Sequence, residues 1–271
     1  MTETGSERLA AMFSRARGND RAVLLPYLTA GIPSVDESVG IFLAMADVGA
    51  DGFEVGIPYS DPLMDGPVIM EAGEIALKRG VTVTVALEVV RRVASETGKP
   101  VLAMTYVNPV LHRGIDRFFS EAANAGAAGV IIADLPADEA GPFLDAADGA
   151  GLGLALFVAP TTNDERLTGV LEADPVFVYA VAEVGVTGER EVASSNVERL
   201  ASRIREHSDV PIVFGVGIST PRQAAVAAFH GDGVIVGTAI VRRVVEARTA
   251  DDAAHAVSAF VEGLVPSMNR K

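Results

Sequence analysis

One short segment carries an unusual density of chemistry-bearing residues: FEVGIPYSDPLMDGPVI, residues 53–69. Phe53 and Val55 alternate with Gly52, Glu54 and Gly56, the period of a β-strand. If the two apolar residues face outward, Glu54 points inward between two residues without side chains. An inward carboxyl among apolar neighbours is hard to ionise, so its pKa rises and it exchanges protons near neutrality. A glutamate salt-bridged inside the fold is the competing reading, although no basic partner stands nearby in sequence. The loop that follows holds Asp61 and Asp65, stiffened by Pro58, Pro62, Gly66 and Pro67. Pro67 suits the first turn of a helix, and Asp65 could cap it. Taken together, Glu54 and Asp65 read as a pair of carboxylates held for acid–base and electrostatic work.

A second group is rich in glycine: GVTG at 185–188, GVGIST at 215–220 and GTAI at 237–240. The last two precede helical patterns. Glycine lets backbone N–H groups approach an anion, and helix N-termini favour negative charge. Lys and Arg are absent from these segments, apart from the adjacent Arg190 and Arg222. A phosphate held here would be held by amides.

These residues need a scaffold. The chain has 271 residues, 49% of them hydrophobic, and a formal net charge of −14. That charge gives no global field for nucleic acid or an anionic membrane. There is no cysteine, which excludes disulfides, thiol catalysis and iron–sulfur clusters. The four histidines, His112, His207, His230 and His255, show no metal-ligand spacing. The N-terminus does not read as a signal peptide, and no apolar run reaches membrane-spanning length, so a cytoplasmic protein is expected.

Eight apolar, β-branched runs recur along the chain: 22–28, 51–56, 101–106, 129–134, 152–160, 176–181, 211–217 and 232–237. Helical patterns separate them, including 35–48, 67–79 and 85–96. Near-continuous hydrophobic strands alternating with helices argue for a parallel sheet buried on both faces. Eight such units in this length predict an α/β fold, a (β/α)8 TIM barrel forming one domain over residues 1–271. Extra helices are expected at the N-terminus (6–16) and C-terminus (251–264); an open doubly wound sheet is the alternative. In a barrel, function gathers at the C-terminal ends of strands, and phosphate sites often follow strands seven and eight. Tyr27, Tyr59, Tyr106 and Tyr179 all fall at that rim, which suits a flat organic ligand.

The segment EVGIPYSDPLMDGP, followed in order by GVTG and GVGIS, resembles the tryptophan synthase alpha chain family over essentially the whole chain. The resemblance implies a carbon–carbon lyase that cleaves indole-3-glycerol phosphate to indole and glyceraldehyde 3-phosphate by a retro-aldol reaction. It implies a beta-chain partner in an alpha2-beta2 heterotetramer in tryptophan biosynthesis. This chain itself would need no cofactor, pyridoxal phosphate belonging to the beta chain. By the same resemblance Glu54 is the acid–base carboxylate and Asp65 the carboxylate that binds the indole N–H. Tyr179 lies near the substrate, Thr187 is the lid threonine that fixes Asp65, and Gly188, Gly217, Gly237 and Thr238 are phosphate contacts. Tyr27 stands where the family often has Phe, and Ile131 and Val158 at strand ends would add apolar walls. Asp61, Pro62, Asn108 and Pro136 occupy loops that face the beta chain in the family. Departures are Ala182-Glu183 in place of a Ser-Arg pair before GVTG, Val216 for Phe and Thr238 for Ser. A stand-alone indole-releasing lyase and a catalytically silent activating subunit are the alternative functions.

Overall fold

The computed structural model describes residues 3–181, 190–215 and 217–270, with the side chains of helix 190–205 described from Asn196 onward. Eight parallel strands close into a barrel in sequence order. They are β1 (Val23–Thr29), β2 (Phe53–Gly56), β3 (Val101–Thr105), β4 (Gly129–Ile132), β5 (Gly153–Val158), β6 (Val178–Ala180), β7 (Ile212–Phe214) and β8 (Gly233–Val236). Closure is made by β1 pairing with β8, Val23 opposite Gly233 and Pro26 opposite Val236. The expected barrel is therefore present and the open sheet is not.

The helices are α1 (Gly5–Gly18), α2 (Val35–Asp47), α3 (Pro67–Lys78), α4 (Val83–Thr97), α5 (Val107–Arg113) and α6 (Ile115–Asn124). They continue as α7 (Gly141–Gly149), α8 (Asp164–Glu172), α9 (Arg190–Arg205), α10 (Pro221–His230), α11 (Thr238–Glu246) and α12 (Ala250–Leu264). No helix among the described residues is long and apolar enough to cross a membrane. Several strands are shorter than their apolar runs. The run 211–217 contributes only Ile212–Phe214 to the sheet, so Gly215 and Gly217 lie in the loop beyond it. Hydrophobic runs report burial, and burial continues past the last ladder hydrogen bond.

The N-terminal helix closes the bottom of the barrel. It starts with a capping box in which Thr4 and Glu7 satisfy each other's exposed amides. Its buried face carries Leu9, Met12, Phe13 and Ala16. The Phe13 ring meets Phe177, below β6, at 6.0 Å. Glycines at the lower ends of the strands make room for this plug. A Cβ on Gly52 would stand 3.2 Å from the Met12 sulfur and 2.7 Å from the Pro100 carbonyl oxygen. One on Gly129 would stand 2.6 Å from the Gly153 carbonyl oxygen and 3.0 Å from Leu9. Part of the high glycine content thus serves close packing at the barrel floor. The floor is also pinned by Asp232, whose buried carboxylate accepts from the Ile212 amide at 3.0 Å and pairs with Arg205, Arg17 and Arg270. This ties α1, α9 and the C-terminal residues to the start of β8.

Gly129→Val should lower stability by about 2–3 kcal/mol, because the obstructing atom is backbone and cannot swing aside. A urea midpoint equal to that of the unmodified protein would contradict this account of the floor.

Candidate active site

The strand register decides which side chains share the barrel interior. Tyr27 lies opposite Glu54, Glu54 opposite Leu102, and Gly56 opposite Met104. Met104 is opposite Ile131, Ile131 opposite Ala155, and Phe157 opposite Tyr179. Since side chains alternate between faces, Tyr27, Glu54, Ile131, Phe157 and Tyr179 all point into one interior. Val158 does not. It pairs with Ala180 on the opposite face and is fully buried toward the helices. The apolar wall expected of Val158 is supplied by Phe157, one residue earlier, which stacks on Tyr179 at 4.7 Å and 24°. The bare apolar run of β5 carries no alternation from which to read the inward residues.

Glu54 is buried at 2% exposure, and its Oε2 has no hydrogen-bond partner. Burial, reinforced by the nearby charge of Asp65, pushes its pKa up to about 8. Among the described residues no cation contributes to that balance, which removes the salt-bridged reading. At neutral pH the group is a protonated acid whose second oxygen is unengaged. The neighbouring Gly56 accommodates Tyr27: a Cβ there would collide with the phenol oxygen. That hydroxyl is paired with Thr29 Oγ1 at 3.2 Å. Burial holds Tyr27 and Tyr179 protonated, far above the ordinary phenol range.

Asp65 sits in the loop between β2 and α3. It does not cap α3. Gly66 occupies the cap position without a side-chain bond, and Pro67 opens the helix. The Asp65 amide instead donates to the Pro62 carbonyl at 3.0 Å, a tight turn that turns the carboxylate toward the pocket. Tyr27, Thr29, Pro62, Asp65 and Met104 line one small cavity there. Burial raises Asp65 to a pKa of about 6, while the Tyr106 hydroxyl within hydrogen-bonding reach draws it down. Two carboxyls close enough to influence one another thereby differ, Glu54 mostly neutral and Asp65 mostly ionised at pH 7.

The glycine-rich sector is more differentiated than its sequence suggests. At α10, Thr220 caps the Gln223 amide, and Gln223 Oε1 accepts from the Ser219 amide at 2.9 Å. That helix end is therefore occupied by its own residues. At α11, Gly237 is the cap residue and makes no side-chain bond, leaving first-turn amides for an external anion. Thr238 at this end is exposed. Gly217 is exposed with φ +75°, a left-handed conformation that favours glycine. Gly215 serves differently, since a Cβ there would collide with the Tyr179 hydroxyl; its bare backbone accommodates that ring. Thr187 and Gly188 lie outside the described residues, as do Ala182, Glu183 and Val216.

On the rim, Asp61 is exposed and accepts from the Ser60 hydroxyl at 2.6 Å. Pro62 is partly exposed, and Asn108 and Pro136 are exposed. Leu63 and Met64 beside Asp61 are 87% and 61% exposed, and Leu111 on α5 is 52% exposed. Two contributors escape a reading of the sequence by motif, Tyr106 and Phe157, while Gly215, read there for anion approach, instead makes room for a ring. Tyr106 is visible there only as one of four rim tyrosines, and its contact with Asp65 arises from the path of the loop.

Comparison with known proteins agrees with this geometry. The family model described as tryptophan synthase alpha chain matches residues 13–268. The tryptophan synthase alpha chain of Streptomyces coelicolor is 44% identical over 239 residues, covering 88% of each chain. That of Salinispora tropica is 45% identical over 240 residues, covering 89% of this chain and 90% of its own. Among solved structures, Mycobacterium tuberculosis tryptophan synthase superposes with a TM-score of 0.87 at 40% identity, covering 97% of this chain and 98% of the other. Tryptophan synthase subunit alpha from Legionella pneumophila gives 0.88 at 31% identity, covering 97% and 99%. The barrel, the buried Glu54 with the half-buried Asp65, and these matches agree: the chain belongs to the tryptophan synthase alpha chain family.

Proposed function

We propose that this chain cleaves indole-3-glycerol phosphate to indole and glyceraldehyde 3-phosphate, as the alpha subunit of a tryptophan synthase. The observation that carries the reading is Glu54: a buried carboxyl with one unpartnered oxygen and a pKa of about 8, beside a second carboxyl near 6. Neutral Glu54 donates its proton to indole C3, leaving a positively charged ring. The Asp65 carboxylate accepts the indole N–H and stabilises that charge. Glu54, now ionised, removes the proton from the glycerol hydroxyl next to the ring. The C–C bond breaks, its electrons return to the ring, and the hydroxyl carbon becomes the aldehyde. Glu54 ends protonated, as it began, so one carboxyl serves as acid and then base.

Tyr27, Ile131, Phe157 and Tyr179 supply the walls for the flat ring. The uncapped start of α11, with Gly237 and Thr238, supports the phosphate, together with the glycine loop at Gly217. Such an amide cradle suits a chain of net charge −14, which has no lysine field to offer. The exposed rim around Asp61, Pro62, Asn108 and Pro136, with bare Leu63 and Met64, fits docking of a beta chain carrying pyridoxal phosphate. It favours this assembly over a stand-alone lyase. Two competent carboxyls weigh against a catalytically silent subunit. A cytoplasmic biosynthetic enzyme is the matching location.

Glu54→Gln should cut indole release by roughly 10²–10⁴-fold with the barrel intact. A variant keeping most of the activity would remove the assignment. Stability provides an independent readout. The folded pKa of Glu54 is above its ordinary value of 4.5, so the unmodified protein loses stability as pH rises from about 4.5 through 8. The glutamine variant lacks this loss. Its stability relative to the parent should climb between pH 5 and 8 in denaturant titrations, and a flat difference would mean that Glu54 is not buried as a neutral acid.

Asp65→Asn should lower kcat roughly 10²-fold with little change in ligand binding, since only the charge is lost. Removing that charge also relieves the pressure on Glu54, so the alkaline limb of the rate profile should move to lower pH. A raised KM at unchanged kcat would instead make Asp65 a binding group.

Thr238→Asp tests the phosphate end without harming the helix, because an acidic residue in the first turn favours the helix dipole. KM for indole-3-glycerol phosphate should rise at least about tenfold by like-charge repulsion. The affinity for free indole should stay within a small factor. Equal losses for both ligands would place the phosphate elsewhere.

A further inference from the structure

Asp65 is held by more than its own loop. Asn108, in the first turn of α5, donates its Nδ2–H to the Tyr59 hydroxyl at 2.9 Å. The Tyr59 ring lies against Tyr106 with centroids 5.3 Å apart and planes tilted by 33°. Tyr106 is 2% exposed, and its hydroxyl oxygen accepts the Met64 amide at 3.2 Å. A phenol has a single proton. With the Met64 N–H already donating to the oxygen, the Tyr106 proton is free to point at the Asp65 carboxylate. The next residue in the loop after Met64 is Asp65 itself, so the hydroxyl that holds the loop backbone also faces its carboxylate.

We propose that Tyr59 and Tyr106 form a two-ring clasp by which the rim residue Asn108 positions the Asp65 carboxylate. Tyr106 is the positioning residue and Tyr59 its brace. The inference rests on the reading of Asp65 as the charge-stabilising group. The surroundings of Asp65 leave few other candidates. The titratable groups facing it are Glu54 on β2, Tyr27 on β1, Tyr179 on β6 and Tyr106 after β3, with Asp134 after β4 acting on Tyr106. Of these, Tyr106 is the one that favours the ionised form of Asp65. The prolines of the loop restrict its backbone, but Leu63 and Met64 stand in solvent and anchor nothing inside. The two tyrosine rings provide the side-chain anchor between loop and barrel.

The test is the pH dependence of kcat for indole release by the full chain, in Tyr106→Phe, Tyr59→Phe, Asn108→Ala and the double tyrosine variant. Tyr106→Phe keeps the ring and removes the proton. The acid limb should move up by as much as about one unit, a loss of up to roughly tenfold in rate at a pH on the limb. Tyr59→Phe and Asn108→Ala should move it in the same direction by less. The double variant should shift no further than Tyr106→Phe alone, because Tyr59 acts through Tyr106. Shifts that add in the double variant, or an acid limb unmoved by both Tyr59→Phe and Asn108→Ala, would overturn the clasp. Failure of the underlying reading looks different: Asp65→Asn itself would then retain both the rate and the acid limb.

Discussion

A carboxyl buried with no cation beside it among the described residues is the constraint on which the site depends. Water would hold Glu54 ionised at neutral pH, and a nearby arginine would do so more firmly. Among the described residues the barrel sets no arginine beside Glu54, and burial takes it out of solvent. Burial and the charge of Asp65 together raise its pKa to about 8. The same burial leaves Oε2 without a partner, a cost the fold carries at this one carboxyl. Near the mouth, Tyr27 and Tyr179 share that burial, and Tyr106 favours the contrasting state of Asp65.

Both ends of the barrel are closely packed, with small residues making the room. At the floor, Gly52 just before β2 and Gly129 at the start of β4 let Met12 and Leu9 of α1 seat against the strands, and Phe13 beside them packs on Phe177. At the mouth, Gly56 and Gly215 let the rings of Tyr27 and Tyr179 cross the opening. The phenols stay protonated at such depth, so they add hydrogen-bonding capacity without adding charge. A second carboxylate can then stand near Glu54 as the main source of negative charge, and its influence on Glu54 is not diluted.

The anion end follows another economy. Two helices start in the glycine-rich sector, and their free amides are equivalent in principle. Thr220 and Gln223 occupy the start of α10, whereas Gly237 leaves that of α11 uncapped. The difference comes from the cap residue, a threonine with its hydroxyl at α10 and a glycine with no side chain at α11. A glycine cap costs its helix only roughly a few tenths of a kcal/mol against a threonine, so the open start of α11 is a small stability cost.

The local sequence was enough for the number of strands, the βα alternation, the terminal helices and the inward direction of Glu54. All of these rest on periodicity and on the neighbours of each residue, which a linear chain records. The segment holding Glu54 and Asp65 was legible for the same reason, since its prolines, glycines and acids lie within one stretch. The facing of Val158 was not legible, because β5 is apolar on both faces and only pairing across the barrel sets its register. The role of Asp65 also waited on the tertiary structure. Its position before Pro67 reads as a helix cap, and only the turn at Pro62 and the approach of Tyr106 show otherwise. Likewise Gly215 and Gly217 are near-neighbours in one motif, yet one serves a ring from another strand and the other a left-handed turn. Contacts between residues far apart in sequence made these choices, and such contacts exist only once the barrel has closed.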